Sequence, residues 1–117
     1  MKVLTIERSK WLRGHVEESY LRDDQGRMCC LGFDAVACGL TPEQITWIAE
    51  PSELDTDGLP EEYIEHRFMF DREAVSMPIE HAIRINDDSS YLCDSDREAA
   101  LIPVLKQLGY DAVRFID

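Results

Sequence analysis

Residues 26–40 read G-R-M-C-C-L-G-F-D-A-V-A-C-G-L, from Gly26 to Leu40. Met28, Cys29, Cys30, Leu31, Phe33, Ala35, Val36, Ala37 and Cys38 leave only Gly32 and Asp34 to interrupt the apolar run. A helix that is apolar on every side belongs in a core, because no face of it gains from water. The stretch therefore predicts a central buried helix. It is entered from the turn-forming D-D-Q-G at 23–26 and closed by Gly39, which can take the left-handed conformation that ends helices.

Outward from that helix the elements are short. Residues 3–7, V-L-T-I-E, predict a strand, and R-S-K-W-L-R-G at 8–14 predicts a helical turn or loop in which Trp11 packs its ring as a lid on the core. Residues 19–22 predict a second short strand. Thr41-Pro42-Glu43-Gln44 is a capping box with Pro at the first helical position, so a short helix is expected over 42–49 with Ile45, Trp47 and Ile48 on its apolar side. Residues 50–77 have the Pro, Gly and Asp density of a surface excursion, with one helical turn near 60–66. A Pro-initiated turn at 77–83, a strand or helix end at 82–86 and a turn at 86–90 follow. Ser95-Asp96-Arg97-Glu98 is another capping box, and Ala99, Ala100, Leu101, Leu105 and Leu108 continue at helical spacing to Gly109, with Pro103 expected to kink the helix. Residues 111–116 predict a last strand. The sum is one α+β domain over residues 1–117, a small and mostly antiparallel sheet packed on a central buried helix and a C-terminal helix.

The totals fit a folded chain with 44% hydrophobic and 31% charged residues, and no segment has the length that crosses a bilayer. Glu7 interrupts the N-terminus before a long apolar run develops, so it does not read as a secretory signal and a cytoplasmic location is expected. In that compartment the four cysteines stay reduced. Twelve basic residues stand against 24 acidic ones, a net charge of −12. Residues 1–40 hold six of each sign, so the whole excess lies in 41–117. Such a balance excludes direct attachment to a nucleic-acid backbone.

Three groups of residues carry chemistry worth weighing. Cys29 and Cys30 open the central helix, where the macrodipole lowers a thiol pKa, and with Asn86 and Asp87 they form the candidate site of a small cysteine-dependent enzyme or small-molecule binder. Against this, adjacent helical residues point about 100° apart, no general base is identified, and core thiols are the plainer reading. A metal site would have to recruit Cys38, Cys93 and one of His15, His66 or His81, at spacings unlike those of zinc sites. No metal and no cofactor is therefore assigned. Asn86-Asp87-Asp88 lacks the pattern of a calcium loop and reads as turn chemistry. The third group lies in 43–65, which has eight carboxylates and no Lys or Arg. Glu50, Glu53, Asp55, Asp57, Glu61, Glu62 and Glu65, with Trp47, Tyr63 and Ile64 as apolar anchors, are the candidate contacts for a basic partner.

W-L-R-G at 11–14, S-Y-L at 19–21, G-R-M-C-C-L-G-F at 26–33, A-C-G-L at 37–40, I-N-D-D at 85–88, R-E-A-A-L at 97–101 and L-G-Y-D-A-V-R-F at 108–115 together resemble a family of small phage and prophage proteins. The resemblance implies a phage product working in a bacterial cytoplasm, where small acidic phage proteins often bind and inhibit a host machine. It carries over no catalytic residues. The expectation is an interaction protein that inhibits or diverts a host nucleic-acid-handling or defence complex, in the manner of an anti-CRISPR protein. A homodimer whose core continues across the interface is a further expectation.

Overall fold

The computed structural model describes residues 2–14, 20–69, 72, 74–88 and 93–117. The predicted central helix is α1, Cys30–Ala37, and every residue from Cys30 to Ala35 is buried. Gly39 follows with φ +95°, and the Leu40 N–H returns to the Ala35 carbonyl at 3.0 Å, which closes the helix. Gly32 is demanded by close approach. The extended segment at 20–22 crosses directly over α1, and a Cβ at position 32 would stand on the Leu21 carbonyl oxygen.

The parallel pair β1, Val3–Glu7, and β4, Ala112–Ile116, runs in register from Val3 opposite Ala112 to Glu7 opposite Ile116. Leu4, Ile6 and Val113 point into the core, in the alternation a half-buried strand requires. The antiparallel pair is shorter: β2, Phe68–Met69, against β3, Ala74–Val75. The α+β class thus holds, with its strands divided between one parallel and one antiparallel pair. The strand expected at 19–22 is reduced to a single parallel bridge between Arg22 and Thr46, and Ser19 lies outside the described residues.

Three helical expectations change. The helix expected over 42–49 is a single turn, α2, Pro42–Ile45, because Trp47 takes φ +65° and turns the chain away. The excursion expected beyond residue 50 instead buries Pro51, Leu54, Leu59, Tyr63 and Ile64, and the helical turn expected near 60–66 is there, lengthened to α3, Glu61–Arg67. These residues belong to the core. Residues 77–87 form one helix, α4, Met77–Asp87, since Ile79, Ala82 and Asn86 recur at helical spacing on its buried face. Asn86 therefore sits in the last turn of a helix; of the turn expected at 86–90, Ser89 and Ser90 fall outside the described residues, as does Phe70.

α5, Asp94–Lys106, continues through Pro103, whose ring is exposed. It carries the acids that seize the segment after β1. Arg8 makes two bonds of 2.8 Å to the Glu98 carboxylate, and Arg13 reaches Asp94 at 2.6 Å. Trp11 is held between them, buried, with its ring 5.0 Å from that of Phe115. The lid expected from the sequence is in place.

Gly32→Ala tests the crossing over α1. The new methyl meets backbone rather than a side chain that can swing aside, so a loss of roughly 3 kcal/mol is expected, read as a lower urea midpoint at unchanged slope.

Candidate functional site

The structure brings Cys29, Cys30, Asn86 and Asp87 together. Cys29 is the N-cap of α1, Cys30 its first residue, and Asn86 reaches across from α4. Asn86 Oδ1 accepts from the Trp11 indole N–H at 2.8 Å and from the Cys30 backbone N–H at 3.1 Å. Both partners can only donate, so the amide has one possible orientation. Its Nδ2 donates to the Leu12 carbonyl at 2.9 Å and to Asp87 Oδ1 at 3.0 Å. Every donor and lone pair of the amide is used, and none remains to hold a substrate.

The space is equally small. A cavity of about 10 Å³ lies among Cys29, Cys30, Leu31, Ala49, Ile83, Asn86 and Asp87, the room of a single water. Burial pushes the Cys29 thiol up to about 12 and that of Cys30 well above the ordinary value of 9.0. The helix dipole is outweighed by the loss of solvent, so neither thiol is an activated nucleophile. The two thiols lie in the core, as the plainer reading of the sequence has it, and Asn86 joins α1 and α4 beside them. Two results should follow. With a thiol reagent at neutral pH, exposed Cys93 reacts at once while Cys29 and Cys30 react only on unfolding. A thiol whose folded pKa is raised stabilises the fold fully below its unfolded pKa; stability measured by denaturant should therefore hold up to about pH 9 and fall as pH rises toward 12.

A second buried cluster was not anticipated. Arg67, at the end of α3, makes a two-pronged bond to Asp34 in α1, Nε to Oδ2 at 2.8 Å and an Nη to Oδ1 at 2.7 Å. Both side chains are wholly buried. Tyr110 donates its hydroxyl to Asp34 Oδ1 at 2.6 Å, and the Arg67 guanidinium lies 5.0 Å from the centre of the Tyr63 ring. Burial alone would lower the Arg67 pKa; the bonds from Asp34 more than reverse it and keep the cation charged. Asp34 was visible as the one charge in an apolar helix, which is itself the sign of a buried partner. Removing one member of such a pair strands the other, so Asp34→Ala should cost roughly 3–5 kcal/mol in chemical denaturation.

The acidic stretch forms the third candidate. Glu53, Asp55, Asp57, Glu61, Glu62 and Glu65 are exposed and Glu50 is half-buried. Tyr63 and Ile64, expected as partner anchors, are buried and corrected to core residues, because the apolar side of α3 faces inward. Glu61 pairs with Arg72 at 2.6 Å and Glu62 with Lys2 at 3.0 Å. Trp47 is the exception among the anchors, 54% exposed and edge-on to Tyr20 with ring centres 5.1 Å apart. Its φ of +65° is a conformation that costs a non-glycine residue on the order of 1 kcal/mol.

Among the described residues no group of three or more His, Cys, Asp or Glu is placed to hold a metal ion, and no helix is long and apolar enough to cross a membrane. Comparison with protein-family models, curated proteins and solved structures gives no match for this chain.

Proposed function

We propose that this protein is a phage-encoded, non-catalytic binding protein of the bacterial cytoplasm that docks on a basic host protein and inhibits or diverts a nucleic-acid-handling or defence complex, as an anti-CRISPR protein does. The docking face comprises Trp47, Glu50, Glu53, Asp55, Asp57, Glu61, Glu62 and Glu65. The observation that carries this reading is Trp47, a large aromatic left in water, in a strained backbone conformation, within the most acidic stretch of the chain. Strain and exposed apolar area both lower stability, and they persist most readily where binding uses them. The carboxylates stand in for phosphates toward a surface built to hold nucleic acid, and they speed the encounter. The saturated Asn86 amide and the high thiol pKa values at Cys29 and Cys30 weigh against the cysteine-dependent alternative.

The test is retention of a partner from bacterial lysate by the tagged protein, followed by titration of that partner. Replacing Glu53, Asp57 and Glu65 together by Lys should weaken binding by roughly tenfold or more and flatten its salt dependence. Trp47→Ala should weaken it by a similar factor at low and high salt alike, since that contact is apolar. Affinity unchanged by both sets would remove this face from the interaction.

A further inference from the structure

The outer edge of β1 has no partner among the described residues. Lys2 donates its N–H to Asp111 Oδ2 and accepts from the N–H groups of Asp111 and Ala112, so the backbone of Lys2 faces β4. Alternate residues of a strand bond to the same side, which turns Leu4 and Ile6 toward β4 as well and leaves the N–H and C=O groups of Val3, Thr5 and Glu7 facing away. Among the described residues only the 3-10 turn at Arg8–Lys10 turns back on them, its Lys10 N–H toward the Glu7 carbonyl, and the groups of Val3 and Thr5 have no described partner.

Beside that edge runs a groove of about 370 Å³ between β1 and α1, floored by Leu4, Met28, Phe33, Val36 and Ala37. Val3 and Val36, two of the exposed large apolar side chains, lie along it at 37% and 46% exposure. An unpaired strand edge flanked by an apolar trough invites another strand, and soluble chains usually blunt such an edge with proline, a bulge or charge. Here Glu7 and Lys10, one charge of each sign, are the ionisable groups that line it.

Charge selects the occupant. All residues lining the groove fall within 3–37, in the part of the chain where six cations balance six anions, while the entire net charge of −12 lies beyond residue 40. Copies approaching through their acidic faces repel. Copies approaching through the groove bring together linings that carry one charge of each sign, so that Glu7 of one copy can face Lys10 of the other.

We propose that a second copy of this chain fills the groove, its β1 pairing antiparallel with β1 about a two-fold axis to give one continuous sheet in the order β4-β1-β1-β4. With Thr5 opposite Thr5, Val3 of each copy lies opposite Glu7 of the other, and the outward N–H and C=O of Thr5 and the outward C=O of Val3 find bonding partners. The two α1 helices then lie on the same side of the sheet, with Val36 and Ala37 covered across the axis. The interface is isologous, as closed dimers require.

Sedimentation equilibrium of the whole chain over a micromolar to near-millimolar range reads this directly. The expected mass rises to twice the 13.5 kDa chain mass, and does so at lower concentration as added salt screens the net charge of −12 that each copy carries. Thr5→Pro removes an outward N–H that β4 does not use and should weaken dimerisation by roughly tenfold or more. Val36→Lys, at an exposed position of α1, should do the same with circular dichroism unchanged, and it keeps the test open should Thr5→Pro not fold. Amide exchange at Thr5 should be slow in the wild type and fast in Val36→Lys. A monomer at every concentration overturns the proposal and leaves the edge to a strand from another protein; a dimer that survives both variants overturns it by placing the interface elsewhere. Neither variant touches residues 43–65, so the outcome is independent of the acidic face.

Discussion

One amide group holds the molecule together. The side chain of Asn86 bonds Trp11, Leu12 and the first residue of α1, and its backbone carbonyl accepts from the Gly14 N–H at 2.8 Å and from Arg97 of α5 at 2.9 Å. The segment after β1 and three helices thus meet at a single residue. A buried polar group is stable only when its bonds are complete, and a completed network permits one arrangement where an apolar contact would permit several. The apolar core supplies the driving force; Asn86 decides how the pieces are set. The pair of Asp34 and Arg67 does the same about one turn further along α1, where α3 docks with its cation on the one carboxylate the helix carries.

These internal bonds also shape the outside. Arg8, Arg13, Arg27 and Arg67 each bind a carboxylate within the fold, so a large share of the cations is committed to structure. The excess of acid is left on the surface, most densely from α2 to α3. A net charge of this size keeps copies apart in dilute solution and weakens the compact state by self-repulsion, which dissolved salt relieves. The described surface thus includes a strongly acidic stretch with an exposed aromatic ring and a groove beside β1 whose lining carries one charge of each sign.

How much of this was legible in the sequence depended on distance along the chain. The run at 28–38, Gly39, the pairing of Thr41 with Gln44 and the lid of Trp11 are local signals, and each is where the sequence placed it. The pairing of β1 with β4 joins segments more than a hundred residues apart, and nothing in either strand states its direction. Pro51, Leu54, Leu59 and Tyr63 are spaced irregularly, so a buried segment passed for an excursion. Asn86 passed for a turn residue because I-N-D-D-S-S has turn composition, whereas the buried face of α4 outvoted it. Cys29, Cys30 and Asn86 were found as a constellation and the thiols read first as core residues, but the bonds that Asn86 makes are visible only once the neighbours are in place. The partner of Asp34 was missed for the same reason.

The parallel pairing of β1 with β4 also bears on how the chain is made. Translation delivers β1 more than a hundred residues before β4, so Leu4 and Ile6 wait without their β4 partner while the helices between are made. Contacts of such long sequence separation form late and slowly, because the entropy of closing the loop comes before any reward. During that wait the edge of β1 that β4 later covers is open to whatever strand is near. Nascent chains on neighbouring ribosomes are the nearest source, and a fold in which β4 must cover β1 from so far along the chain is most exposed to mispairing during its own translation.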